Sequence, residues 1–281
     1  VPAFSRTPAA APYTGMLVIA CATPAEAGAL KNHITINEQK RYHATRLIRG
    51  VLADRELLLV ITGIGPRNAK TAAQLISQHF RPAYVVLMGA AGAVDPSLRV
   101  CDIVIVDKIL RKQGSIYHTQ NISIEHSFSC HHELSRIAFQ HIAREGLEPQ
   151  WGNCLTTEHF IHLKAKKAWI YETFGVKLIE MESAALANIF YTAGIPFINI
   201  RVISDTAIRS IIDYEKIAGY KKRREPASLV AYFLQKPGAA LKLIRFRSDM
   251  RKVRNMIARI AAVLAKDMPE QVKTSTATIP V

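Results

Sequence analysis

Short apolar runs alternate with amphipathic stretches along most of the chain. Residues 16–22, 57–62, 84–88, 102–107, 176–179 and 196–203 are apolar runs bounded by turn-forming residues, the pattern of buried strands. Between them, helical periodicity covers 24–30, 66–78, 132–145, 164–174 and 183–193. The first of these helices opens on Thr23-Pro24, a cap followed by proline at the first helical position. Apolar strands separated by helices predict an α/β fold. The expected architecture is a single mixed, mostly parallel twisted sheet flanked by helices on both faces. In such sheets ligands gather beyond the carboxyl ends of the strands. That directs attention to Thr62-Gly63, to 89–92, to Glu180 and Glu182, and to Ser204-Asp205.

The C-terminal part has a different pattern. Leu243, Phe246, Met250, Val253, Ile257, Ile260 and Leu264 follow one another at alternating spacings of three and four. This places one apolar stripe along a helix of about 20 residues. Arg245, Arg247, Arg251, Lys252, Arg254 and Arg259 occupy its other faces. The chain carries a formal charge of +15, and between residues 221 and 267 thirteen Lys and Arg stand against three acids. A basic amphipathic helix of this kind either docks by its stripe on the rest of the protein or a partner subunit, or lies on an anionic membrane surface. Nucleic acid is not the expected partner, since no aromatic interleaving or recognition motif accompanies the charge.

At 281 residues the chain fits one large domain with an appendage. The expected divisions are a flexible Ala/Pro-rich leader at 1–14, a main domain at 15–220, a basic helical extension at 221–268 and a flexible tail at 269–281. Hydrophobic residues make up 49% and charged residues 21%, which excludes wholesale disorder. No run reaches 18 consecutive apolar residues, so no spanning helix is expected. The four cysteines lack a C-x-x-C pair and read as free thiols in a reducing, cytoplasmic compartment. The ten histidines include the pairs His131-His132 and His159/His162, but neither has ligand partners at zinc spacing, so no metal centre is expected.

Two carboxylates, Glu180 and Glu182, flank a strand-to-helix turn, and Asp205 stands just past a later strand. Each has a plain structural reading. Glu182 could satisfy free N–H groups at a helix N-terminus, and Asp205 could be an N-cap. Phe160-Ile161 could be core, and Arg201 a structural ion pair at the sheet edge. Taken in order, however, residues 18–26, 62–65, 88–98, 100–104, Phe160-Ile161, Glu180-Met181-Glu182 and Ile203-Ser204-Asp205 resemble the nucleoside phosphorylase/nucleosidase family. The resemblance is to the purine nucleoside phosphorylase and methylthioadenosine/S-adenosylhomocysteine nucleosidase type, and it spans about 16–208.

The resemblance implies hydrolytic cleavage of the N-glycosidic bond of a 5′-substituted adenine nucleoside, without a cofactor. It makes Asp205 the general acid toward the purine, and holding a proton near neutral pH would call for burial or a neighbouring carboxylate. Glu182 and Met181 would meet the ribose. Phe160, Ile161 and Ser204 would meet the base. Glu26 falls where hydrolytic members place a water-activating carboxylate. Gly63, Gly89, Ala90, Ala91, Gly92 and Arg201 would form the water or phosphate pocket, with Arg67 a further possible phosphate ligand. The turn at 89–92 lacks the hydroxyl a phosphate-using enzyme would want, which favours water over phosphate as co-substrate. Ser183, Ala93 and Ile208-Arg209 depart from the family pattern and bear on the exact substrate. Phosphorolysis and a non-catalytic nucleoside-binding or membrane-scaffold protein remain the alternatives. The basic tail is similar to the extension of hopanoid-associated members, which implies adenine release from adenosylhopane as another reading. A homodimer or larger assembly is the implied state.

Overall fold

The computed structural model describes residues 14–112, 124–209 and 238–270. Among these residues ten strands form one sheet: β1 (Thr14–Cys21), β2 (Thr35–Tyr42), β3 (Thr45–Leu52), β4 (Arg55–Ile61), β5 (Arg81–Ala93), β6 (Ile103–Lys112), β7 (Ile124–Ser129), β8 (Pro149–Thr156), β9 (Leu178–Glu180) and β10 (Phe197–Asp205). Among the described residues six helices accompany them: α1 (Pro24–Lys31), α2 (Pro66–His79), α3 (His132–Arg144), α4 (Lys164–Phe174), α5 (Ser183–Thr192) and α6 (Gly238–Asp267). The mixed sheet flanked by helices agrees with the sequence pattern.

Strands β1, β4, β5 and β10 are mutually parallel and form the apolar centre. Their side chains alternate between two cores, as the two-residue period requires. Leu17, Ile19, Leu57, Leu59, Val86 and Met88 face a layer containing α1, α3 and α6. Val18, Ala20, Leu58, Val60, Val85 and Leu87 face the opposite layer, with α2 and α5. A smaller cluster forms where Ile161 and Ile170 meet Leu155 and Ile179.

The sheet also closes on itself. Strand β10 pairs β5 on one side and β6 on the other, β6 pairs β8, β8 pairs β9, and β9 returns to β5. Four strands were not among the predicted runs. Strands β2 and β3 make an antiparallel extension beyond β4, and β2 is half-exposed along its whole length. Strand β7 is mostly exposed and β8 is partly exposed from Gln150 to Asn153, so neither presents a continuous apolar run.

Helix α6 is 30 residues long rather than about 20. Its C-terminal half buries Val253, Ile257, Ile260, Ala261 and Leu264 in the same core as α1 and α3. This selects docking on the protein's own body for that half. Arg55 ties down the segment after the helix by donating to the carbonyls of Met268 and Pro269 at 2.7 and 2.9 Å. The N-terminal half stays outside, with Leu241 72% and Ile244 65% exposed. No helix among the described residues is long and apolar enough to cross a membrane. The expected leader at 1–14 and tail at 269–281 lie almost wholly outside the described residues, as does the expected boundary at 220/221.

Candidate active site

The site builds up where the parallel central strands end. After β1, Thr23 caps α1 in a reciprocal box. Its hydroxyl accepts from Glu26 N at 3.2 Å, and Thr23 N donates to Glu26 Oε2 at 2.8 Å. This fixes Glu26 on the first turn with its other oxygen turned inward, where Oε1 accepts from Ala90 N at 2.8 Å. After β4 the chain turns through Gly63 and Gly65, both with positive φ, a conformation that suits glycine. The turn aims Gly65 N at Glu182 Oε1, 3.0 Å away.

Arg201 lies on β10, fully buried, opposite Gly89 of β5. Its Nη2 donates to Glu180 Oε2 at 2.5 Å and stands 3.7 Å from Glu182 Oε2. A Cβ on residue 89 would lie 2.7 Å from Arg201 Nη1 and 2.9 Å from Glu26 Oε1, so glycine here lets the guanidinium and the glutamate approach. Burial works against the Arg201 charge, but Glu180, Glu182 and Glu26 outweigh it and hold the group protonated. Arg201 is therefore an ion pair as the plain reading had it, but inside the closed ring of strands. Its Nε and Nη1 have no hydrogen-bond partner among the described residues.

The structure reassigns one role. Glu180, not Glu182, satisfies the N-terminus of α5: its Oε2 accepts from Glu182 N at 2.9 Å and Ser183 N at 2.8 Å. Oε1 accepts from Thr156 Oγ1 at 2.5 Å and from Ser183 Oγ at 2.6 Å. Ser183, a departure from the family pattern, is thus a ligand of the buried Glu180. That leaves Glu182 with a backbone donor and a distant guanidinium. Burial first, then the nearby Glu180 charge, push its carboxyl up to about 7.

Asp205 is the last residue of β10 and does not cap a helix. Ser204 Oγ lies 2.6 Å from its Oδ1 and 3.1 Å from the Ala91 carbonyl. Its Oδ2 accepts from Lys167 Nζ in a fully buried ion pair. The neighbour is an ammonium, where the sequence reading looked to burial or a second carboxylate. Lys167 was not anticipated. Gly92 backs this group, with a Cβ position 3.3 Å from Oδ2.

Of the remaining candidates, Ile161 is buried in the small cluster, so only its backbone is available to a ligand. Phe160 and Met181 are half-buried. Arg67 is exposed on the first turn of α2 and makes no ion pair among the described residues. Glu26, Glu180, Glu182 and Arg201 therefore form one buried cluster, and Ser204 and Asp205, four residues beyond Arg201 on β10, form a second group with Lys167 of α4.

Comparison with known proteins fits this arrangement. The profile of the phosphorylase superfamily matches residues 16–235. The 5′-methylthioadenosine/S-adenosylhomocysteine nucleosidase of Staphylococcus aureus (strain JH9) is 27% identical over 198 residues, covering 68% of this chain and 87% of that protein. The solved nucleosidase of Neisseria meningitidis in complex with methylthio-immucillin-A superposes with a TM-score of 0.69 at 21% identity, covering 90% of this chain and 100% of that one. Futalosine hydrolase of Helicobacter pylori gives a TM-score of 0.70 at 15% identity, covering 90% and 98%. A sequence profile that takes in nearly all of the sheet and both acidic groups leaves no doubt of descent: this chain belongs to the phosphorylase superfamily.

Proposed function

We propose that the chain hydrolyses the N-glycosidic bond of a 5′-substituted adenine nucleoside, of the methylthioadenosine/S-adenosylhomocysteine type, and releases adenine. The observation that carries hydrolysis over phosphorolysis is the position of Glu26. Its Oε1 takes the Ala90 N–H and stands beside Arg201 at Gly89, which lies within β5 and not in the turn expected at 89–92. A phosphate dianion would need those donors for itself. Here a carboxylate already holds one of them, and Glu180 and Glu182 add further negative charge around the guanidinium.

Bond cleavage leaves positive charge on the sugar and sends the C1′–N9 electron pair into the base. Asp205 delivers a proton to N7 as that pair departs. Glu182 accepts from the ribose hydroxyls, and its negative charge steadies the cationic sugar. Water held by Glu26 bonds to C1′ and gives its proton to that carboxylate. Met181 lies against the sugar, Phe160 stacks on the base, and the Ile161 backbone meets the base edge. Ser204 holds Oδ1 of the acid. The relatives named as nucleosidases, in sequence and in structure, support this substrate class.

Adenine release from methylthioadenosine should proceed at the same rate in phosphate-free and phosphate buffer and yield free 5-methylthioribose, not 5-methylthioribose 1-phosphate. Glu26→Gln should lose about 10²-fold in turnover. A phosphate requirement with an active E26Q protein would establish phosphorolysis instead. No base release under either condition would leave a binding protein.

Two partners accompany this reading. A second copy of the chain is expected, supported by exposed Ile64, Leu163 and Ile208 around the strand ends, and sedimentation velocity tests it. An anionic membrane surface is expected to take the outer half of α6, where exposed Leu241 and Ile244 lie among Lys242, Arg245 and Arg247. The full chain should pellet with anionic vesicles at low salt, and K242E/R245E/R247E should not. A reducing, cytoplasmic compartment fits the four unpaired cysteines.

A further inference from the structure

Lys167 is the buried cation that the reaction scheme leaves unused. It sits on α4 with 0% exposure, although its neighbours Lys164 and Lys166 stay at or near the surface. Its Nζ donates to Asp205 Oδ2 and, at 3.0 Å, to the Thr206 carbonyl. Taking an ammonium and a carboxylate out of water costs several kcal/mol for each ion, about what their attraction returns. A stability role alone does not explain why this pair is retained beside the acid of the proposed reaction.

Both oxygens of Asp205 are acceptors in the resting site, Oδ2 from Lys167 and Oδ1 from Ser204. Of its two donors, only Lys167 carries a proton whose transfer to Oδ2 leaves both partners uncharged. Building on the nucleosidase reading above, we propose that Lys167 is the positioning residue that loads Asp205 with the proton it passes to the departing base. One proton moves from Nζ to Oδ2, and the Asp205 O–H goes to N7 as the C1′–N9 bond breaks. The neutral amine left behind regains a proton from solvent once the products leave. The proton that the attacking water gives to Glu26 returns to solvent in the same interval, so the cycle balances.

The test compares kcat and KM for methylthioadenosine in wild type, Lys167→Met, Lys167→Arg, Asp205→Asn and K167M/D205N, with thermal melting as the fold control. K167M should lose about 10- to 10²-fold in kcat with KM within about threefold of wild type. The double variant should be no slower than D205N within about twofold, because Lys167 acts only through Asp205. K167R keeps the charge but not a removable proton, and should stay as slow as K167M. Losses that multiply in the double variant, wild-type turnover in K167M, or full recovery in K167R would each overturn the proposal. If K167M does not fold, the turnover of K167R decides. Wild-type protein that releases no base from the nucleoside would instead overturn the nucleosidase reading, and the proton-supply role with it.

Discussion

Gly89 and Arg201 face each other across the β5–β10 pairing, with the guanidinium Nη1 only 2.7 Å from where a side chain on residue 89 would begin. Gly89→Ala should therefore push Arg201 and Glu26 apart. The expected cost is about 1–3 kcal/mol of stability, with at least about a tenfold fall in kcat/KM. Urea unfolding and steady-state kinetics on the same preparation check both. A variant as stable and as active as wild type would mean that the close approach does not exist in solution.

Asp205→Asn keeps the shape of the acid and removes its transferable proton. Turnover should drop about 10²- to 10⁴-fold while nucleoside still binds. Tight binding with lost turnover, read by calorimetry beside kinetics, is the expected pair of results. Near-normal turnover would assign the acid elsewhere.

Glu182 should leave a pH signature of defined sign. Its carboxyl is pushed from 4.5 up to about 7, by burial and then by Glu180. The folded protein therefore holds this proton more tightly than the unfolded chain. The resulting stabilisation is complete below about pH 4.5 and is lost as pH rises through about 7, a difference of roughly 3 kcal/mol. Glu182→Gln should flatten the stability profile across that window. In the proposed reaction the sign is opposite, since there the ionised form grips the ribose hydroxyls. Wild-type kcat/KM should climb toward pH 7 and level above it, and a profile flat from pH 5 to 8 would contradict this role.

The two halves of α6 should respond differently to truncation of one side chain. Leu264→Ala removes a fully buried group from the main core and should cost about 2–5 kcal/mol. Leu241→Ala, on the exposed half, should stay within about 0.5 kcal/mol. Denaturant midpoints measured side by side distinguish a docked half from a free one.

Much of this arrangement was readable from residue order, and the gaps have physical causes. Strands β1, β4 and β5 announce themselves because both faces are covered and their residues are apolar without interruption. Strand β2 does not, because it alternates between half-exposed and exposed positions and has no apolar face of its own to betray it. Glu182 and Asp205 were visible because a carboxylate directly after an apolar run stands out, and Glu26 only through the family resemblance. Glu180 was visible too, but its role depends on which N–H groups the α5 turn presents, and only the fold decides that. Lys167 was hidden among Lys164 and Lys166. The one signal was helical phase, since residues 167, 170 and 174 fall on the face that packs into the small cluster around Ile170 and Phe174.

The circuit of β5, β10, β6, β8 and β9 has no loose end. A strand at an open edge can slip by a residue at the expense of one neighbour, whereas here any slip must be matched on two sides at once. Glu182 emerges directly after one member of the circuit and Asp205 closes another, so the gap between them behaves as a fixed gauge. Under the proposed roles of these two residues, divergence toward bulkier or smaller nucleosides is then confined to the connecting segments and side chains at the rim, while the span from sugar to base stays constant.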